Sequence, residues 1–109
     1  MKMDNHDIGA MFKRPGLPCA FLSFAEKQKP PYLIWGRMGS SDFYADNHNF
    51  MAVTECYLEL YMKQYEPALL SEIESKLQAE RIPYEREHEL YIEKTELYLC
   101  RWSFSIIGA

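Results

Sequence analysis

The sequence predicts an α+β fold: one domain spanning residues 1–109, built as a mostly antiparallel β-sheet with helices packed on one face. Three observations lead there. Several short stretches alternate apolar and polar residues, as strands buried on one side do, whereas one stretch repeats its apolar residues every four positions, as a helix does. The elements fall in the order α-β-β-β-α-β-β, with strands in tight succession and no internal repeat. A length of 109 residues, 48% hydrophobic and 15% aromatic, suits a single compact core.

The first element is a short helix in which Asp4 or Asn5 caps the start, Ile8, Met11 and Phe12 share one side, and Arg14-Pro15-Gly16 ends the run. Cys19 to Phe24 reads as a strand bounded by Pro18 and the polar turn AEKQK, and Tyr32 to Met38 reads as its partner. Pro30 and Pro31 cannot donate ladder hydrogen bonds, which places them before the second strand and outside it. Gly39 to Asn49 turns to Gly, Ser, Asp and Asn and is expected to be a long loop carrying two large rings, Phe43 and Tyr44.

Phe50 to Met62 alternates most clearly: Ala52, Thr54, Cys56, Leu58, Leu60 and Met62 form a core face, and Glu55, Tyr57, Glu59 and Tyr61 form a face for water or a partner. Glu66-Pro67 opens the strongest helix, with Leu69, Ile73 and Leu77 along one side and Glu72, Lys76 and Glu80 toward solvent, ending near Arg81. Tyr84 to Ile92 and Thr95 to Ile107 close the chain as two strands about a Glu93-Lys94 turn, the second with Tyr98, Cys100, Trp102, Phe104 and Ile106 on one face.

Composition excludes several classes. The net charge is −4 and the cations Lys27, Lys29 and Arg37 fall short of the stripe that gripping phosphates requires. No apolar run approaches the roughly 20 residues of a membrane span, and MKMDNHD lacks the layout of a secretory signal, so a soluble intracellular protein is expected. Cys19, Cys56 and Cys100 are widely spaced within strand-like stretches and read as free, buried thiols.

Motifs for chemistry are weak. Glu85, Glu87 and Glu89 would share one strand face, but neighbours on that face stand about 6.6–6.8 Å apart, too far for oxygens that must converge to within about 2–2.6 Å of one ion. That row is better suited to discouraging edge-to-edge aggregation. Glu74-Ser75-Lys76 matches half of a metal-dependent nuclease signature, with Asp42 or Asp46 as a remote acid, yet on a helix Glu74 and Lys76 diverge by about 200°. His6, His48 and His88 lie far in sequence from the cysteines, no serine or cysteine sits in a glycine-flanked elbow, and turn-making explains Asp42, Asp46 and His48. No catalytic residue, cofactor or metal site is assigned, and the chain is not expected to be an enzyme.

GLPCAF, PPYLIWG, ADN, LELYMK, LLSEIESKL and YIEKTELYLCRW occur in that order between Gly16 and Trp102. This arrangement resembles the small tail-terminator or tail-completion (head-tail joining) proteins of long-tailed phages and prophages of Gram-positive bacteria. Gly9 and the basic KRP depart from the unbroken first helix of that family. The resemblance implies a structural subunit forming a closed ring, a hexamer, on the head-proximal end of the tail tube. Its partners would be copies of itself, the major tail-tube protein and the head-completion or connector protein, with DNA only in transit through the lumen and no membrane. Its place would be the virion tail, assembled in the bacterial cytoplasm.

A ring of this kind needs two different adhesive patches per subunit. The candidates are the loop residues Phe43, Tyr44, Asp46 and Asn47 and the strand face with Tyr57 and Tyr61. Competing expectations are a head-completion or minor capsid protein, a metal-dependent nuclease, and a small regulatory binding module.

Overall fold

The computed structural model describes residues 5–44 and 50–107. The elements are α1 (Asn5–Phe12), β1 (Cys19–Phe21), β2 (Tyr32–Tyr44), β3 (Phe50–Met62), α2 (Pro67–Ala79), β4 (Tyr84–Ile92) and β5 (Leu97–Ile107). The five strands form one sheet in the order β1-β2-β3-β5-β4, antiparallel except for the β1–β2 pair. The α+β reading, with its order of elements, therefore holds. No helix among the described residues is long and apolar enough to cross a membrane.

Both helices cover the same side of the sheet. Ile8 and Phe12 of α1 and Leu69, Leu70, Ile73 and Leu77 of α2 pack on Leu33, Trp35, Cys56, Leu58, Leu60, Met62, Cys100, Trp102, Phe104 and Ile106. The period-two and period-four patterns thus meet in one core. Phe12 sets its ring edge-on to Phe104, with centroids 5.9 Å apart.

Local chemistry explains the element ends. Pro15 and Gly16 make a tight turn in which the Arg14 and Leu17 backbones exchange hydrogen bonds, and Gly16 takes φ +81, the sign that the third position of a type II turn demands. Helix α2 stops in a Schellman motif: Ile82 N–H donates to the Leu77 carbonyl at 2.9 Å and Arg81 N–H to that of Gln78 at 3.0 Å, while Ile82 turns back into the core. Arg81 takes the left-handed conformation that glycine usually fills there, with φ 55.

The structure corrects five expectations. First, β1 is only three residues and runs parallel to β2, so the two are not a hairpin. Three strand residues span only about 10 Å, and the chain from Leu22 (φ 70) to the cis Pro30–Pro31 bond has length enough to return to the starting end. Second, β2 continues through Gly39, Ser40, Ser41 and Asp42 to Phe43 and Tyr44, with a bulge between Arg37 and Gly39. The β-prone half of β3 supplies a template that outweighs the poor strand propensity of Gly, Ser and Asp.

Third, the β4–β5 turn is longer than Glu93-Lys94, closing with Glu96 N–H on the Ile92 carbonyl and Glu96 at φ 57. Fourth, a bulge between Arg86 and His88 breaks the row of glutamates. Glu85 lies opposite Ser103 and Glu89 opposite Cys100, so the two stand on different faces. Fifth, Glu72 and Lys76 do not face open solvent: Arg14 forks onto the Glu72 carboxylate, and Lys76 donates to the Phe12 carbonyl at 3.1 Å. Together they fasten the end of α1 to α2, and the Arg14 hydrogen bonds hold the Glu72 pKa below its ordinary value.

Candidate functional site

Among the described residues, no helix covers the second sheet face. Its rows are set by register: Tyr32, Tyr61 and Leu99 stand side by side, then Ile34, Glu59 and Arg101, then Gly36, Tyr57 and Ser103. Alternation that drives Leu58 and Leu60 into the core necessarily turns Tyr57, Glu59 and Tyr61 to this face, where they are half-buried. The sequence reading of Tyr57 and Tyr61 as face residues is correct.

Arg101 organises the centre. Its Nη1 donates to Glu59 at 2.7 Å, its Nε to Glu87 at 3.1 Å, and its guanidinium carbon lies 4.5 Å from the Tyr57 ring centroid. Tyr61 donates to the other Glu59 oxygen at 3.0 Å and stacks on Tyr32, with centroids 5.0 Å apart. Burial, and then the neighbouring Glu59 carboxylate, push the Tyr61 phenol well above its ordinary pKa. The phenol therefore stays protonated and donates. Tyr57 lies against Gly36 so closely that a Cβ there would stand 2.6 Å from its hydroxyl. Sequence reasoning missed Arg101, because its meeting with Glu59 depends on the β3–β5 register.

Beyond the row Ser41–Val53–Ile107, Asp42 to Tyr44 pair only with Phe50 to Ala52 among the described residues. The β2–β3 hairpin thus projects as a two-stranded arm, in a molecule whose principal extents are 51 × 26 × 24 Å. Phe43 and Tyr44 occupy its last two strand positions, opposite Met51 and Phe50, and not a loop. Asp46, Asn47 and His48 lie outside the described residues. A hairpin without further strands is marginal in water.

The other constellations resolve into structural roles. Glu74 accepts from Arg86 Nε and from the buried Trp102 indole N–H, both at 2.8 Å, whereas Lys76 reaches α1. The half-signature does not converge on one cleft. Burial raises the Glu74 pKa, but donation from Arg86 and Trp102 outweighs it and leaves the carboxyl below its ordinary value. Cys56 and Cys100 are buried and Cys19 is half-buried; all three thiols are free, and burial pushes them up to about 11, about 12 and about 11 respectively. At neutral pH they are protonated and poor nucleophiles. Among the described residues, no three His, Cys, Asp or Glu side chains gather to hold a metal ion.

No family model matches the chain, and no curated protein matches it. What the geometry defines is an α+β domain with one helix-covered face, one uncovered aromatic and charged face, and a projecting arm.

Proposed function

We propose that this chain is a structural subunit of a phage or prophage tail, assembling with copies of itself into a ring, a hexamer, that caps the tail tube and joins it to the head. The observation that carries this reading is the projecting β2–β3 arm, which offers Phe43, Tyr44, Phe50 and Met51 at the end of a hairpin with no third strand among the described residues. Support also comes from where the resembling segments fall. GLPCAF leads into and forms β1, PPYLIWG opens β2, LELYMK closes β3, LLSEIESKL lies in α2, and YIEKTELYLCRW spans the β4–β5 hairpin. They are the frame of the domain.

The mechanism is binding. One ring face docks on the last ring of tail-tube protein and stops its growth; the other receives the head-completion protein. Aromatic anchors suit this work, because truncating such residues at an interface commonly costs about 2 kcal/mol or more. The test replaces Phe43 and Tyr44 together by Ser. The expected variant is soluble and melts cooperatively near the parent temperature, but it fails to stop tube polymerisation or to complement a phage lacking the gene. Normal infectivity would remove the arm from the mechanism, and a sharply lowered melting temperature would assign the rings to the subunit's own core.

A further inference from the structure

We infer that the two outer edges of the sheet are the two halves of a head-to-tail contact, so that the β4 edge of one copy seats against the β1 edge of the next. This deepens the ring reading above and rests on it only for closure; the contact itself stands on the two edges.

Exposure first points to them. Among the described residues, the exposed large hydrophobics fall mostly at the margins: Phe21 and Leu22 lie on or beside β1, Tyr65, Leu90 and Tyr91 lie on or beside β4, and Met38 lies against Arg101 on the uncovered face. On the β4 side, Tyr65, Glu89, Leu90, Tyr91, Tyr98 and Leu99 line a depression of about 230 Å³. A depression of that size can take one aliphatic side chain of a neighbour.

Charge then names the occupant. The β4 margin carries Glu85, Glu93 and Glu96 against Lys94, with Glu87 already engaged by Arg101, and Glu89 and Arg86 by each other. On the opposite side, Lys13 and Arg37 stand near β1, and the connection leaving β1 carries Lys27 and Lys29 against Glu26, with Arg14 already engaged by Glu72. Had the charges served only to keep edges apart, like signs on both margins would do so. Opposite signs repel β4 from a second β4 and attract it to β1, which selects a heterologous contact over a two-fold one.

Register supports the same pairing. Cys19, Leu33, Leu60, Cys100 and Glu89 stand in one row across the sheet, so β1 lies level with residues 86–89 of β4. The two edges run in opposite directions, since β1 is parallel to β2, and β4 is linked to β2 through three successive antiparallel pairings. Copies in the same orientation therefore bring β4 and β1 together antiparallel, the direction in which an added strand pairs well.

The test uses two variants in sedimentation velocity at low salt: Glu85→Lys with Leu90→Lys on the β4 edge, and Leu22→Asp with Lys27→Glu on the β1 edge. The parent protein should form assemblies larger than dimers, each variant alone should be monomeric, and an equimolar mixture should assemble again, because the intact edges meet and the two reversed edges once more carry opposite signs. That mixture retains one intact β4 edge and one intact β1 edge. A monomeric parent, a variant that still assembles alone, or a mixture that stays monomeric would overturn the inference. If either double variant melts abnormally, Glu85→Lys and Lys27→Glu singly should each weaken assembly at low salt and not at high salt; equal assembly at both would overturn it. Assemblies with this edge logic that fail to stop tube polymerisation would sink the tail reading and leave the contact standing, whereas tail capping by a protein indifferent to the edge variants would do the reverse.

Discussion

Glu74 is the residue on which the helix layer and the sheet most visibly depend, and replacing it by Ala should measure that dependence. Its carboxylate accepts the indole N–H of Trp102 at 2.8 Å, and Trp102 is fully buried, so the donor has no route to bulk water until the carboxylate is removed. Losing a hydrogen bond to a charged acceptor costs about 1.5–3 kcal/mol. The second partner, Arg86, is 41% exposed in its side chain, so its ion pair adds no more than about 1 kcal/mol after solvent screening.

The expected loss for Glu74→Ala is therefore about 2–4 kcal/mol, or a melting temperature lower by about 8–15 °C for a domain of this size. Glu74→Gln keeps an oxygen for the indole and should lose about half as much. Urea unfolding followed by tryptophan fluorescence reads both. The Glu74 pKa lies below 4.5 in the fold, so its contribution is fully present above the unfolded value and fades as pH falls through the folded one. The gap between parent and Glu74→Ala should narrow below about pH 4.5. An Ala variant within about 0.5 kcal/mol of the parent at neutral pH would refute the reasoning, because changes of that size are typical of surface positions without a partner.

The remaining expectations concern the core and the uncovered face. Ile73→Asp places a carboxylate where Ile73 is fully buried and should unfold the subunit, while Lys76→Ala, which loses one bond to the Phe12 carbonyl and a half-exposed pair with Glu72, should cost about 1 kcal/mol or less; thermal melts compare them, and equal tolerance would mean that the buried side of α2 is misassigned. Gly36→Ala should destabilise by about 1–3 kcal/mol by forcing Tyr57 off its seat and away from Arg101, and adding Tyr57→Ala should recover part of that loss; chemical denaturation of the single and double variants checks it, and additive losses would show that the two residues do not meet.

The sequence by itself determined the elements whose side chains obey one strong period. Leu58 and Leu60 must enter the core if Tyr57, Glu59 and Tyr61 are to stay wet, and Leu69, Ile73 and Leu77 can share one side only in a helix. Hence β3, β5 and α2 were legible, and with them the α+β class and the uncovered face. Tertiary structure decided what depends on partners distant in the chain. Gly39 to Tyr44 have the composition of a loop, yet become strand because residues 50–55 offer them a template. The same pairing moves Phe43 and Tyr44 onto an arm. Arg101 finds Glu59 only through register, and Glu87 reaches the same guanidinium from the neighbouring strand β4. The opposed charges of the two margins were present in the sequence as unremarkable residues. They acquired meaning only when the order β1-β2-β3-β5-β4 set one group at each end of the sheet, because electrostatic complementarity is a property of surfaces and not of intervals along a chain.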